Sequence, residues 1–233
     1  MEFLELGPDE LSDEVDPRRV LETETVYRGR IWDVVSERFE LVDGGARMTR
    51  DFITHPGAVS VLAMDDRDRV LVIRQYRHPV GMTQWEIPAG ILDLEGERPS
   101  AAALRELGEE ADLTARRLET LVEFHNSPGS SAESLRVYLA RELAEVPVDQ
   151  RHEREDEESE IVAAWVPLEH AVAAVLAGRL HNPNLTHGVL AAHAARSMGW
   201  STLRPADAPW PAHPLLRETG GLTPSTITPP DAG

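Results

Sequence analysis

Residues 85–113 read WEIPAGILDLEGERPSAAALRELGEEADL, and the rest of the chain is arranged around them. A tight Pro-Ala-Gly turn leads through a polar loop into a helix whose first turns hold Glu97 and Pro99 and which then carries Arg105, Glu106, Glu109 and Glu110. Residues three and four apart share a helical face. Glu106 and Glu110 therefore project together, with Glu109 beside them and Arg105 one turn from Glu109. Like charges at this spacing cost an isolated helix about 0.2–0.5 kcal/mol per pair. A self-repelling cluster is either a solvated acidic face or a site that awaits a cation. Hard divalent ions take carboxylate oxygens, and magnesium usually takes one or two carboxylates together with substrate phosphates.

Gly90, Glu97 and the run Arg105-Glu106-Leu107-Gly108-Glu109-Glu110 resemble the Nudix box, the signature of the Nudix hydrolases. That signature is Gly, five residues, Glu, seven residues, then Arg-Glu-apolar-any-Glu-Glu-any-Gly-apolar. From Glu97 to Glu110 the match holds in residue and in spacing. Six residues separate Gly90 from Glu97, a one-residue extension of the loop that ADP-ribose-cleaving members share. Asp112 stands where the family has Gly, at the left-handed end of the helix. Asp tolerates that conformation better than most residues and less well than Gly, so a small stability cost is expected and no loss of activity. So many fixed spacings favour chemistry over a plain acidic surface helix.

Working outward, the chain has 233 residues, enough for one sizeable domain with appendages or two small ones. Its formal charge of −18 argues against nucleic acid and against anionic membranes, which both need basic patches. A metal-bridged phosphate substrate is compatible, because the ions reverse the local sign. No cysteine is present, so disulfides, thiolate catalysis and sulfur-ligated zinc are excluded. No apolar run approaches the roughly 18 residues of a membrane span, and the acidic start lacks a signal-peptide pattern. A cytoplasmic location is expected.

Before the box, residues 1–20 form an acidic arm expected to be flexible. Residues 21–55 form a strand region, with one strand-turn-strand unit turning at Gly44-Gly45 and a further strand from Arg47 to Thr54. AVSVLAMDDRDRVLVIRQYR gives two strands around Asp65–Asp68, both continuously apolar and so buried on two faces. The helix after Arg98 is expected to bury Ala101, Ala102, Leu104 and Leu107. Beyond the box, two strands flank the turn Ser127-Pro128-Gly129, a short strand covers IVAAWVPL, and a helix runs from Leu168 to Ala177. A last helix, capped by Asn182 with Pro183 at its first position, ends at Gly199. Residues 201–233 hold seven prolines and are expected to be a disordered tail with little core of its own, or one draped over a partner subunit. Strands before and helices after the box satisfy an α/β class, a mixed sheet covered by helices on both faces.

The resemblance covers roughly residues 24–200 and implies the Nudix α/β/α sandwich at residues 56–200, with the N-terminal antiparallel strands used to form a homodimer. Pro128 lies fifteen residues after Leu113, a spacing associated with ADP-ribose pyrophosphatases, and SPGSSAESLRVYL and QYRHPVGMTQWEIPAGILD are similar to bacterial members of that group. The implied reaction is hydrolysis of ADP-ribose to AMP and ribose 5-phosphate. It implies magnesium, with manganese as the substitute, held by Glu106, Glu109, Glu110 and the Ala89 carbonyl, with Arg105 setting the carboxylate rotamers. The general base would come from the loop HEREDEESE, with Glu158 favoured, then Glu157 and Glu160; each is otherwise a solvated charge. Arg50 and Arg77 match places where the family contacts phosphate and ribose, or are surface ion pairs. Glu133 would bind the terminal ribose or support a metal. Trp32 is either core or a surface that stacks on adenine across a dimer interface. The histidines show no zinc spacing. Another nucleoside diphosphate sugar, a dinucleotide, an oxidised nucleotide and a non-catalytic ADP-ribose or nucleotide sensor are the competing readings.

Overall fold

The structure, a computed structural model, describes residues 3–8, 10–153 and 161–223. Three strands come first, β1 (Val20–Arg28), β2 (Asp33–Glu40) and β3 (Arg47–Thr54), joined as an antiparallel sheet of order β1-β2-β3. They are followed by β4 (Ala58–Ala63), β5 (Arg69–Arg77), β6 (Met82–Glu86) and β7 (Ala89–Ile91). Next come the helix α1 (Pro99–Ala111), then β8 (Leu113–His125), β9 (Ser134–Glu145) and β10 (Val162–Pro167). The described chain closes with α2 (Leu168–Leu176), α3 (Pro183–Ser197), the two-residue β11 (Arg204–Pro205) and a single helical turn, Leu216–Thr219. Asn182 caps α3 as its sequence predicts, its Oδ1 accepting the Leu185 N–H at 3.1 Å.

A second sheet has the order β10-β5-β6, and a five-stranded sheet the order β11-β8-β9-β4-β7. Within the latter β4 and β9 run parallel, whereas β4–β7, β8–β9 and β11–β8 are antiparallel. The period of two along a strand divides the core into two layers. Val59, Val61 and Ala63 of β4, with Tyr138 and Ala140 of β9, face Ala102, Ala103 and Leu107 of α1. Leu62 and Met64, with Val137 and Leu139, face Leu168 and Ala171 of α2 and Leu185, Val189 and Ala192 of α3. This two-sided burial explains why β4 and β9 are written as continuous apolar runs. The result is an α/β/α sandwich.

Two expectations need correction. The buried face of α1 is Pro99, Ala102, Ala103, Leu107 and Glu110, while Ala101 is exposed and Leu104 half-buried. Three consecutive alanines cannot choose a face by hydrophobicity, and the carboxylate of Glu110 belongs to the buried one. The second correction concerns residues 201–223, which are part of the core rather than a tail without one. Trp210 and Leu216 pack in the α1 layer, and β11 adds an edge to β8. Arg136, only 2% exposed, makes this docking possible. It donates to the carbonyls of Ala208 (3.0 Å) and Pro209 (3.3 Å), to Glu123 (2.6 Å), and stacks over Trp210. A segment rich in proline has few N–H groups but keeps its carbonyls, and the buried guanidinium satisfies those of Ala208 and Pro209. His213 completes the seal. Its Nε2 faces the Pro56 carbonyl at 3.1 Å, and its Nδ1 accepts the N–H groups of Leu215 and Leu216. Gly57 leaves room for it: a Cβ there would stand 2.1 Å from Nε2.

Candidate active site

The turn after β6 is held by four hydrogen bonds. Arg77 clasps the buried Glu86 with both arms of its guanidinium, at 2.8 and 2.6 Å. The Pro88 carbonyl accepts from Val61 N–H at 2.8 Å. Ala89 N–H donates to Glu110 Oε2 at 2.9 Å. Register then sets Ala89 opposite Ser60 and Gly90 opposite Val59, with α1 packed across them. A Cβ on Gly90 would lie 1.9 Å from Glu106 Oε1. The glycine is required because the Glu106 carboxylate rests against its backbone.

Arg105 organises the other acids. Its Nε and Nη2 take both oxygens of Glu97, at 3.0 and 3.1 Å, while Nη1 reaches Glu106 at 2.7 Å and Glu109 at 3.0 Å. One guanidinium thus serves three carboxylates. The forked bond from Glu97 in the first place, then the neighbouring charge of Glu106, raises the Arg105 pKa still further above its ordinary value, so it stays cationic. Charge-assisted, two-armed bonds of this kind fix side-chain rotamers as well as adding energy. The helix ends as its sequence predicts, with Asp112 left-handed at φ 53° and its N–H on the Gly108 carbonyl at 3.1 Å. Its carboxylate lies 3.9 Å from Arg151.

Glu106 and Glu110 therefore rise from α1 against the Ala89–Gly90 backbone, with Glu109 joined to Glu106 through Arg105, a set of hard oxygen donors suited to magnesium or manganese. Among the described residues no three acidic or histidine side chains are already gathered around one point. Glu106 and Glu109 lean on Arg105, and Glu110 on the Ala89 N–H. The fit to a divalent ion rests on donor chemistry and on the cradle at Gly90, which any Cβ would fill.

The remaining expected residues are dispersed. Arg77 is committed to Glu86. Arg50, on β3, is exposed and bonds the Thr49 carbonyl at 2.8 Å. Glu133 accepts from Asn126 Nδ2 at 2.8 Å, with His55 Nε2 3.9 Å away. Trp32 is 41% exposed, its ring 6.2 Å from that of Tyr27, so it is not core. Glu157, Glu158 and Glu160 lie outside the described residues. Three partners escaped the sequence reading. Glu86, His55 and Asn126 carry no spacing that marks them. Burial lowers the His55 pKa, against the opposing charge of Glu133. The loop that bears Pro128 is tied to the end of β3, through Ile53 N–H to Ser130 and Ala132 N–H to Ile53, both at 2.9 Å.

An α/β/α sandwich whose glutamate-rich helix packs on a Gly turn defines the class, and residues 54–187 match the NUDIX domain. The chain belongs to the Nudix family. It is 40% identical over 190 residues to the ADP-ribose pyrophosphatase of Mycobacterium tuberculosis, spanning 82% of this chain and 89% of that protein. It is 36% identical over 171 residues to the ADP-ribose pyrophosphatase of Bacillus subtilis, spanning 73% and 90%. In fold it is similar to a solved ADP compounds hydrolase, with a TM-score of 0.65 at 22% identity over 81% of this chain and 99% of that one.

Proposed function

We propose that this chain hydrolyses the pyrophosphate bond of ADP-ribose to AMP and ribose 5-phosphate. The observation that carries the reading is the intact carboxylate array on α1, ordered by Arg105 and Gly90, in a chain similar along most of its length to ADP-ribose pyrophosphatases. Water adds its oxygen to one phosphorus, the bridging P–O bond breaks, and the other phosphate leaves with the electron pair. Two negatively charged phosphates repel the incoming oxygen. Magnesium, or manganese, held by Glu106, Glu109, Glu110 and the Ala89 carbonyl, would offset that charge and acidify bound water. Arg105 keeps the Glu106 and Glu109 rotamers, and the Ala89 N–H keeps that of Glu110. One of Glu158, Glu157 and Glu160 takes the proton from water.

Arg50, Glu133 and Trp32 are the proposed substrate contacts, on phosphate, ribose and adenine. Arg77 is proposed there as well, although its bond to Glu86 makes it first a brace for the Ala89 turn. A homodimer through the N-terminal sheet is supported by the exposure of Val26, Tyr27, Ile31 and Trp32. We place the protein in the cytoplasm, in keeping with a chain that has no cysteine.

The test is incubation with magnesium and a panel of ADP-ribose, ADP-glucose, NADH, diadenosine polyphosphates and 8-oxo nucleotides, with Glu110→Gln beside the wild type. AMP and ribose 5-phosphate from ADP-ribose, lost in the variant, are the expected result. Turnover of another compound instead would replace the substrate and keep the chemistry. Binding of ADP-ribose without turnover of any compound would make the protein a sensor.

A further inference from the structure

The C-terminal segment reaches the loop that delivers Glu97. Thr223, 4% exposed, donates its N–H to the Glu97 carbonyl at 3.4 Å and accepts the Gly96 N–H at 3.2 Å. Its hydroxyl donates to the Leu94 carbonyl. This is the loop between Gly90 and Glu97 that is one residue longer than the family signature, and a longer loop has more conformations to lose. The same segment grips the start of α1. Asp207 accepts from Ser100 Oγ at 2.6 Å and lies 3.5 Å from Arg98. Arg136 and His213 in turn root the segment in the core. Arg136 and His213 therefore anchor the segment in the core, Thr223 ties its far end to the Glu97 backbone, and the Glu97 side chain bonds Arg105.

We propose that Thr223 is a positioning residue for the metal-binding carboxylates. By pinning the Glu97 backbone it holds the fork that orients Arg105, and Arg105 orients Glu106 and Glu109. Residues that orient metal ligands typically change metal affinity or activity by about 10–100-fold when lost; Thr223 acts two steps further back, through Glu97 and Arg105, so a smaller effect is expected. The kinetic consequence rests on the proposed hydrolysis of ADP-ribose, whereas the metal-binding consequence does not.

Four variants of the full chain test this. Thr223→Pro removes both donors, Thr223→Val only the hydroxyl, and Thr223→Ser neither. Arg217→Ala alters an exposed side chain of the same segment. Mn2+ binding is read by electron paramagnetic resonance, and kcat and KM on ADP-ribose with magnesium. Thr223→Pro should weaken Mn2+ binding about fivefold and lower kcat about fivefold with KM within about twofold; Thr223→Val should weaken Mn2+ binding about twofold. Thr223→Ser and Arg217→Ala should match the wild type. Unchanged Mn2+ affinity in a folded Thr223→Pro overturns the proposal, as does a Thr223→Ser variant as impaired as Thr223→Pro. If Thr223→Pro does not fold, unchanged Mn2+ affinity in Thr223→Val overturns it. Failure of the wild type to cleave ADP-ribose would sink the functional reading alone, since the Mn2+ titration still decides the role of Thr223.

Discussion

Arg105 and Arg136 head two arginine–carboxylate networks built in opposite ways. Arg105, on α1, faces Glu97, Glu106 and Glu109 in a partly open cleft, so negative charge is left over. Arg136, on β9, is 2% exposed and meets one carboxylate, Glu123, which Arg204 also approaches at 3.1 Å; its other N–H groups donate to two carbonyls and the Tyr138 hydroxyl, and its plane stacks over Trp210. A buried guanidinium with matched partners fixes a tertiary contact, because removing one partner strands the others without water. An acid cluster with fewer cations than carboxylates remains able to take up a further cation. An excess of carboxylates marks the candidate site, whereas in the buried network every carboxylate is matched by arginine.

Exchanging one group in each network gives the sharpest contrast. Glu106→Gln should lower kcat about a thousandfold, roughly 4 kcal/mol in the barrier, while a urea titration finds stability unchanged or slightly raised, since a repulsive charge has gone. Arg136→Met should do the reverse. It is expected to cost about 3 kcal/mol of stability and, by loosening the segment that carries Thr223, to lower kcat of the folded fraction by no more than about tenfold, far less than Glu106→Gln does. Equal losses of stability in both variants would erase the distinction.

An effect of similar size, but confined to acid pH, belongs to His213, in the Arg136 region. Burial depresses its pKa from the ordinary 6.5 to about 4, so the unfolded chain takes up a proton first as the pH falls. The stability from neutral His213 is fully present above about pH 6.5 and is lost by about pH 4, a change of about 3 kcal/mol. Urea midpoints between pH 7.5 and 4.5 should fall more steeply for the wild type than for His213→Gln. Parallel slopes would show that His213 contributes nothing to the acid sensitivity of this region. The smallest effect sits at the end of α1. Asp112→Gly relieves a left-handed non-glycine residue and gives up a 3.9 Å contact with Arg151 worth little at a surface. A gain of about 0.5 kcal/mol, seen as a higher melting temperature with kcat unchanged, is expected.

The legibility of the two regions in the sequence follows the same division. Gly90, Glu97, Arg105, Glu106, Glu109 and Glu110 were readable because helical spacing alone brings the acids of α1 together, and because the motif compresses the turn and loop into fixed intervals. Strand boundaries around Asp65–Asp68 and Gly44–Gly45 were readable for the same local reason. The buried face of α1 is not legible, since Ala101, Ala102 and Ala103 are equivalent by hydrophobicity and no apolar pattern assigns a carboxylate such as Glu110 to it. Residues 201–223 were misread altogether. Seven prolines after Ser201 indicate a segment that cannot build regular structure by itself, which is true, but not that Arg136, far away in the chain, offers donors for its carbonyls.

By itself, then, the sequence determined the class of site, the helix that carries it and the strand pattern around it, because those depend on periodicity and on intervals of a few residues. Tertiary structure alone decided that Arg77 clasps Glu86, that His55 meets Glu133, and that the last described residues reach back to the loop before Glu97. Each of those pairings joins residues whose side chains become partners only when burial removes water as the competing hydrogen-bond donor and acceptor, and no local spacing records which distant group will take water's place.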